Sequence, residues 1–95
     1  MVEVVEMIVA RRFGVEVEDI HSRSQERSVS DARHFVWYIL NTTLGIRPGI
    51  IAMTYNTSRQ NIHYAIQLIR FGVQYQPFYA RNYQAIIREL KTYNI

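Results

Sequence analysis

Apolar side chains recur at three- and four-residue intervals through every long stretch of this chain, the spacing that places them on one face of an α-helix. Only four glycines and two prolines interrupt that pattern, and no internal repeat or low-complexity tract is present. The sequence therefore predicts an all-α fold, a succession of helices cut at Gly and Pro. Its 95 residues suffice for one domain. No apolar run approaches the roughly 18 residues that span a bilayer, so no membrane partner is expected. The start lacks the basic, then apolar, then small-residue order of a secretory leader. With no cysteine, neither a disulfide scaffold nor a thiolate metal site can form. The expected compartment is the cytoplasm.

Val5, Ile8, Val9 and Phe13 predict an amphipathic helix over residues 4–13. Glu3 and Glu6 suit its start, Arg11 and Arg12 its end, and Gly14 can supply a left-handed residue after it. Residues 17–21 read as one acidic helical turn, and residues 22–27 as a polar loop carrying two arginines. Ser28 and Asp31 have the spacing of a capping box, which predicts a helix start at Ser28. Its stripe of Val29, Ala32, Val36, Ile39 and Leu40, enlarged by Phe35 and Trp37, makes it the most buried helix. Pro48, at a position where a missing amide hydrogen costs nothing, opens a two-turn helix through Ile50, Ile51 and Met53 that stops at Tyr55 and Asn56. Thr57 and Gln60 repeat the capping-box spacing ahead of the stripe Ile62, Ala65, Ile66 and Ile69, which runs to Gly72. A linker over 73–77 and a closing helix with Tyr79, Tyr83, Ile86, Ile87 and Leu90 on one face complete the chain.

Charge is distributed unevenly along this frame. Residues 1–19 carry −3, residues 20–71 carry +4 and residues 72–95 carry +2. Ten of the eleven basic residues are arginine, which favours forked contacts to phosphate or base edges over simple solvation. Between Val36 and Arg88 there is no Asp or Glu at all. A helix that merely faces water usually carries acid–base pairs, and this stretch carries none.

The short helix, tight turn and longer helix between Pro48 and Phe71 follow the grammar of a helix-turn-helix. With the core centred on Ile62 and Ile66, the outer positions Gln60, Asn61, His63, Tyr64 and Gln67 are polar or amphipathic, and none repels phosphate. In such a motif the start of the second helix enters the major groove, so Ser58, Arg59, Gln60 and Asn61 lie nearest the base edges, with His63, Tyr64 and Gln67 adding flanking contacts. Arg23, Arg27, Arg33 and Arg47, together with Pro48 and Thr57, are expected on phosphates.

These residues resemble the C-terminal DNA-binding domain of the bacterial chromosomal replication initiator DnaA, over nearly the whole chain. Residues 9–20, from Val9 to Ile20, are similar to that domain's opening helix and the aliphatic-Glu-Asp-Leu turn after it. Ser22-Arg23, Arg27-Ser28-Val29 and Ala32-Arg33 resemble its basic loop and the start of its long central helix. Ile46-Arg47-Pro48-Gly49-Ile50-Ile51 sits where the family has a Leu-Pro-Glu-Ile-Gly-like helix start, and residues 76–90 resemble its closing helix. The resemblance implies a compact helical bundle of the Trp-repressor-like kind containing a helix-turn-helix, and binding to double-stranded DNA. The departure falls on the family's base-reading signature, Gly-Gly-Arg-Asp-His-Ser/Thr-Thr-Val. Here it is Asn56-Thr57-Ser58-Arg59-Gln60-Asn61-Ile62, one residue shorter. Gln25 stands where the family has an arginine that enters the minor groove, whereas Arg23, Arg27 and Arg33 keep the pattern. An altered or relaxed site preference is implied. No Gly-x-x-x-x-Gly-Lys-Ser/Thr loop occurs, so ATP binding is not expected in this chain, which is either part of a larger parent protein or free-standing.

Other function classes are weaker on the residues. His21, His34 and His63, with Asp19 and Asp31, match no metal or triad spacing, so no enzyme activity, metal or cofactor is expected. The aromatic run over 75–83 could stack unpaired bases, but Tyr79 and Tyr83 share the core face with Ile86 and Leu90. A protein-interaction module, docking a partner or a second copy through Tyr64, Leu68 and Phe71, is the main competitor.

Overall fold

A computed structural model describes residues 1–94, which form six helices: α1 (Val2–Phe13), α2 (Val17–Ile20), α3 (Arg27–Thr42), α4 (Pro48–Thr54), α5 (Arg59–Tyr75) and α6 (Pro77–Lys91). Among the described residues there is no strand, and no helix is long and apolar enough to cross a membrane. α3 is the central element, packed against α1, α2, α4 and α5, while α6 closes the side formed by α1 and α5. The stripe expected of α3 is buried in full, and Phe35 lies between Phe13 and Tyr79 with ring centroids 5.4 and 6.0 Å away. All helices but the short α2 contribute two or more residues to one continuous apolar core, to which α2 adds Ile20. The radius of gyration, 12.0 Å, is that of a folded unit near 100 residues, for which about 13 Å is typical.

Several helix boundaries differ from the sequence expectation, each for a local reason. α1 ends as expected, with Gly14 left-handed at φ 69° and its amide donating to the Ala10 and Arg11 carbonyls. The Ser28–Asp31 capping box does not form. α3 begins one residue earlier, and the Asp31 carboxylate instead accepts from Arg27 Nε at 3.2 Å, an i,i+4 pair that keeps a mostly buried acid neutralised. The Thr57–Gln60 box is likewise replaced by a cap one residue on, in which Ser58 Oγ accepts from the Asn61 amide at 3.2 Å. The expected break at Gly72 and the linker over 73–77 are absent, because α5 runs to Tyr75 and only Gln76 separates it from α6. Gly72 serves close approach: a Cβ there would lie 2.5 Å from Tyr79 Cγ on α6.

Candidate nucleic-acid interface

Two surfaces expected to act together, the polar loop after α2 and the α4–α5 pair, are built in different ways. The loop is held chiefly through its main chain. Arg33, on α3, donates from Nε to the Ile20 carbonyl at 3.1 Å and from Nη2 to the carbonyls of Ser22 and Ser24 at 2.9 and 3.1 Å. Ser22 Oγ accepts from the Ser24 amide, and Ser24 Oγ from the Glu26 amide, so alternate hydroxyls pin successive turns. Arg23, between the two serines, and Gln25, after the second, are exposed. Arg33 thus departs from the phosphate role expected of it: its guanidinium is engaged with four main-chain carbonyls, those of Asp19 and Ile20 at the end of α2 and of Ser22 and Ser24 in the loop, and burial holds its pKa below the ordinary arginine range. Arg27 extends into solvent, although Asp31 shares its charge.

α4 starts at Pro48 with Arg47 as the capping residue, whose carbonyl accepts the Ile50 and Ile51 amides. Only Ile51 and Ala52 of α4 are buried. Ile50 and Met53, expected among its apolar residues, face outward, Met53 being 79% exposed beside Arg47 and Arg59. The turn comprises residues 55–58. Asn56 is left-handed at φ 52°, a conformation that asparagine tolerates better than most residues. Tyr55 is buried at its head, where its hydroxyl donates to Glu6 Oε2 at 2.5 Å. Glu6, on α1 and 5% exposed, shares the same oxygen with His21 Nε2, also at 2.5 Å. Burial and the adjacent carboxylate push the Tyr55 hydroxyl well above the ordinary tyrosine range. The turn is thereby anchored to the first helix and to the end of α2.

Along α5 the outer face follows the helical-wheel placement: Arg59, Gln60, Asn61, His63, Tyr64 and Gln67 are all exposed, opposite the buried Ile62, Ala65, Ile66 and Ile69. Ser58 is exposed but engaged as the cap. Asn61 Nδ2 donates to Thr57 Oγ1 at 2.8 Å, so Asn61 and Thr57 hold each other and only part of the amide is available outward. Arg59 passes Gly49 at the start of α4, 3.9 Å from where a Cβ would sit. None of Arg23, Arg47 and Arg59 pairs with a carboxylate among the described residues. The histidines are dispersed: His21 sits on Glu6, His34 packs by its ring, and His63 is solvent-facing. No group of three or more metal-ligating side chains is brought together among the described residues.

The sequence reading missed two features of this region. Ile50 and Met53 form an outward apolar strip on α4, which a stripe of neighbouring aliphatics in a two-turn helix disguises as core. The other is a set of rings contributed by α2, α3, the turn and α5, for which no single stretch of sequence carries a signal. No protein-family model and no curated protein matches this chain.

Proposed function

We propose that this chain binds double-stranded DNA, with α4, the turn and α5 acting as a helix-turn-helix in the manner of the DnaA C-terminal domain. α5 would lie in the major groove with Arg59 and Gln60 foremost, Asn61, His63, Tyr64 and Gln67 alongside, and Ser58 setting the helix start. Arg23, Arg27 and Arg47, with Pro48 and Thr57 near the backbone, would fix the register through phosphates. The observation that carries this is the outer face of α5 and the start of α4: an exposed, acid-free surface whose arginines have no countercharge among the described residues. A four-residue turn with a left-handed residue supports it, since such turns join the two helices of this motif and often hold glycine. Association with the nucleoid and a part in replication initiation follow only as extensions of that resemblance.

Selecting bound duplexes from a random library and sequencing them tests the proposal. An enriched motif is expected, differing from the family's origin box because the signature differs. Contact with four to six phosphates should make the logarithm of affinity fall with a slope of about −3.6 to −5.4 against the logarithm of salt. A docking module is the second reading, favoured by Phe71 and Tyr75, which are exposed at the far end of α5 with centroids 4.8 Å apart. It predicts no retained duplex and almost no salt response, and that pair of results would overturn DNA binding.

A further inference from the structure

Five rings from four elements touch in sequence. His21 stacks on Tyr55 at 4.6 Å between centroids, Tyr55 meets Trp37 edge-on at 5.9 Å, Trp37 meets His34 at 6.0 Å, and His34 meets Tyr64 edge-on at 5.9 Å. All five line one groove of about 430 Å³ between the polar loop, α3 and α5. That volume lies within the roughly 300–1,000 Å³ of small-molecule sites. No carboxylate lines the groove, whereas Arg23, Gln25 and Asn56 do.

The rings are unequally open to the groove: His21 and Tyr64 are exposed and His34 is half-buried, whereas Trp37 and Tyr55 are buried behind them. The Trp37 indole Nε1–H is shielded and has no partner among the described residues. His34 is held below the ordinary histidine range, mainly by burial, with the Arg33 charge adding and Asp31 opposing. It is therefore a neutral imidazole at pH 7, offering one N–H and one lone pair.

We propose that this groove binds a single unpaired nucleotide, its base against the rings that are open to it and its phosphate toward Arg23. A bare anion would leave the rings without a role, and an aliphatic ligand would leave the amides unmatched. A nucleobase has π-faces for the rings and donor–acceptor edges for His34, Gln25 and Asn56. The same chemistry is offered by a free nucleotide and by an unpaired residue in a DNA strand. A base paired within a duplex cannot enter, so this inference does not rest on major-groove reading, although Arg23 and Tyr64 serve in both.

Trp37 is the sole tryptophan, so ¹⁵N-labelled protein gives one indole N–H signal to follow. The probes are the four deoxynucleoside 5′-monophosphates, inorganic phosphate, a paired duplex, and the same duplex carrying one bulged nucleotide. We expect at least one mononucleotide, or the bulged duplex beyond the paired one, to displace the signal saturably; the first result marks a free nucleotide and the second a strand residue. Tyr64→Ala, at an exposed position, should weaken that response about tenfold while leaving the melting temperature in place. The proposal is overturned if inorganic phosphate shifts the signal as much as the nucleotides do, if only duplex DNA does so irrespective of the bulge, or if nothing does. Failure of the unsubstituted protein to bind the paired duplex would instead count against the helix-turn-helix.

Discussion

The side of the molecule where α1 meets α6 and the side formed by the loop, α4 and α5 treat their polar groups in opposite ways. On the first, Arg11 pairs with Glu89 and Arg12 Nε donates to Asn82 Oδ1 at 2.8 Å, so each base on α1 finds a partner within the fold. On the second, no acid is present on α4, the turn or α5, and Arg47 and Arg59 stand without countercharge among the described residues. The polar contacts of that side that do exist, Arg33 to the loop and Asn61 to Thr57, shape the backbone and leave other side chains facing outward. Arginines engaged by side chains within the fold serve the fold. A surface that leaves arginine open serves something that brings negative charge.

This contrast is best broken by separating stability from binding. Phe35→Ala, in the closed core between Phe13 and Tyr79, should cost about 3–5 kcal/mol in chemical denaturation. The protein that remains folded should bind duplex DNA as before. Tyr55→Phe leaves the buried Glu6 carboxylate with His21 as its remaining side-chain donor, an expected loss of about 1–3 kcal/mol of stability. Arg59→Ala should do the reverse, weakening a preferred duplex by about 1–3 kcal/mol and flattening sequence preference, while its unfolding midpoint stays within about 0.5 kcal/mol of the parent. Equal losses on every duplex tested would remove Arg59 from base reading. Arg11→Ala, on the closed side and fully exposed, should shift the melting temperature slightly and duplex affinity not at all.

The smallest effect concerns pH, at His34 in the groove between the loop, α3 and α5. Unfolded, His34 takes up a proton near pH 6.5, whereas burial holds it lower in the fold. Between those values the unfolded chain binds more protons, so the stability contributed by neutral His34 is complete above about pH 6.5 and declines as pH falls toward the folded value. The drop in melting temperature from pH 7.5 to 5 should therefore be shallower in His34→Gln. An unchanged drop would assign the acid sensitivity to other groups.

The helices themselves were legible in the sequence, because the stripes of α1, α3, α5 and α6 obey one helical period. The outer face of α5 followed from the same rule. What misled was chemistry with two uses. Asp31 three residues after Ser28 looks like a cap, but four residues after Arg27 it is an ion-pair partner, and the second geometry prevails. Gly72 looks like a helix end, yet it is the residue that lets Tyr79 come close. Arg33 looks like a surface cation because a sequence does not show carbonyls converging on a side chain from 9 to 14 residues earlier in the chain. The ring chain was illegible for the same reason, since its members lie as far apart as residues 21 and 64.

The clasp that Arg33 makes on the loop bears on how such a surface can change. Its acceptors are carbonyl oxygens, which every amino acid supplies, so the path of residues 20–24 is independent of most side chains along it. Only Ser22 and Ser24 add side-chain support. Arg23, between them, and Gln25, just after them, can then accept substitution after substitution while the main chain beneath them keeps its course. A loop of this construction lets recognition diverge within one frame, with one half-buried arginine setting the shape and two exposed positions free to acquire a new specificity.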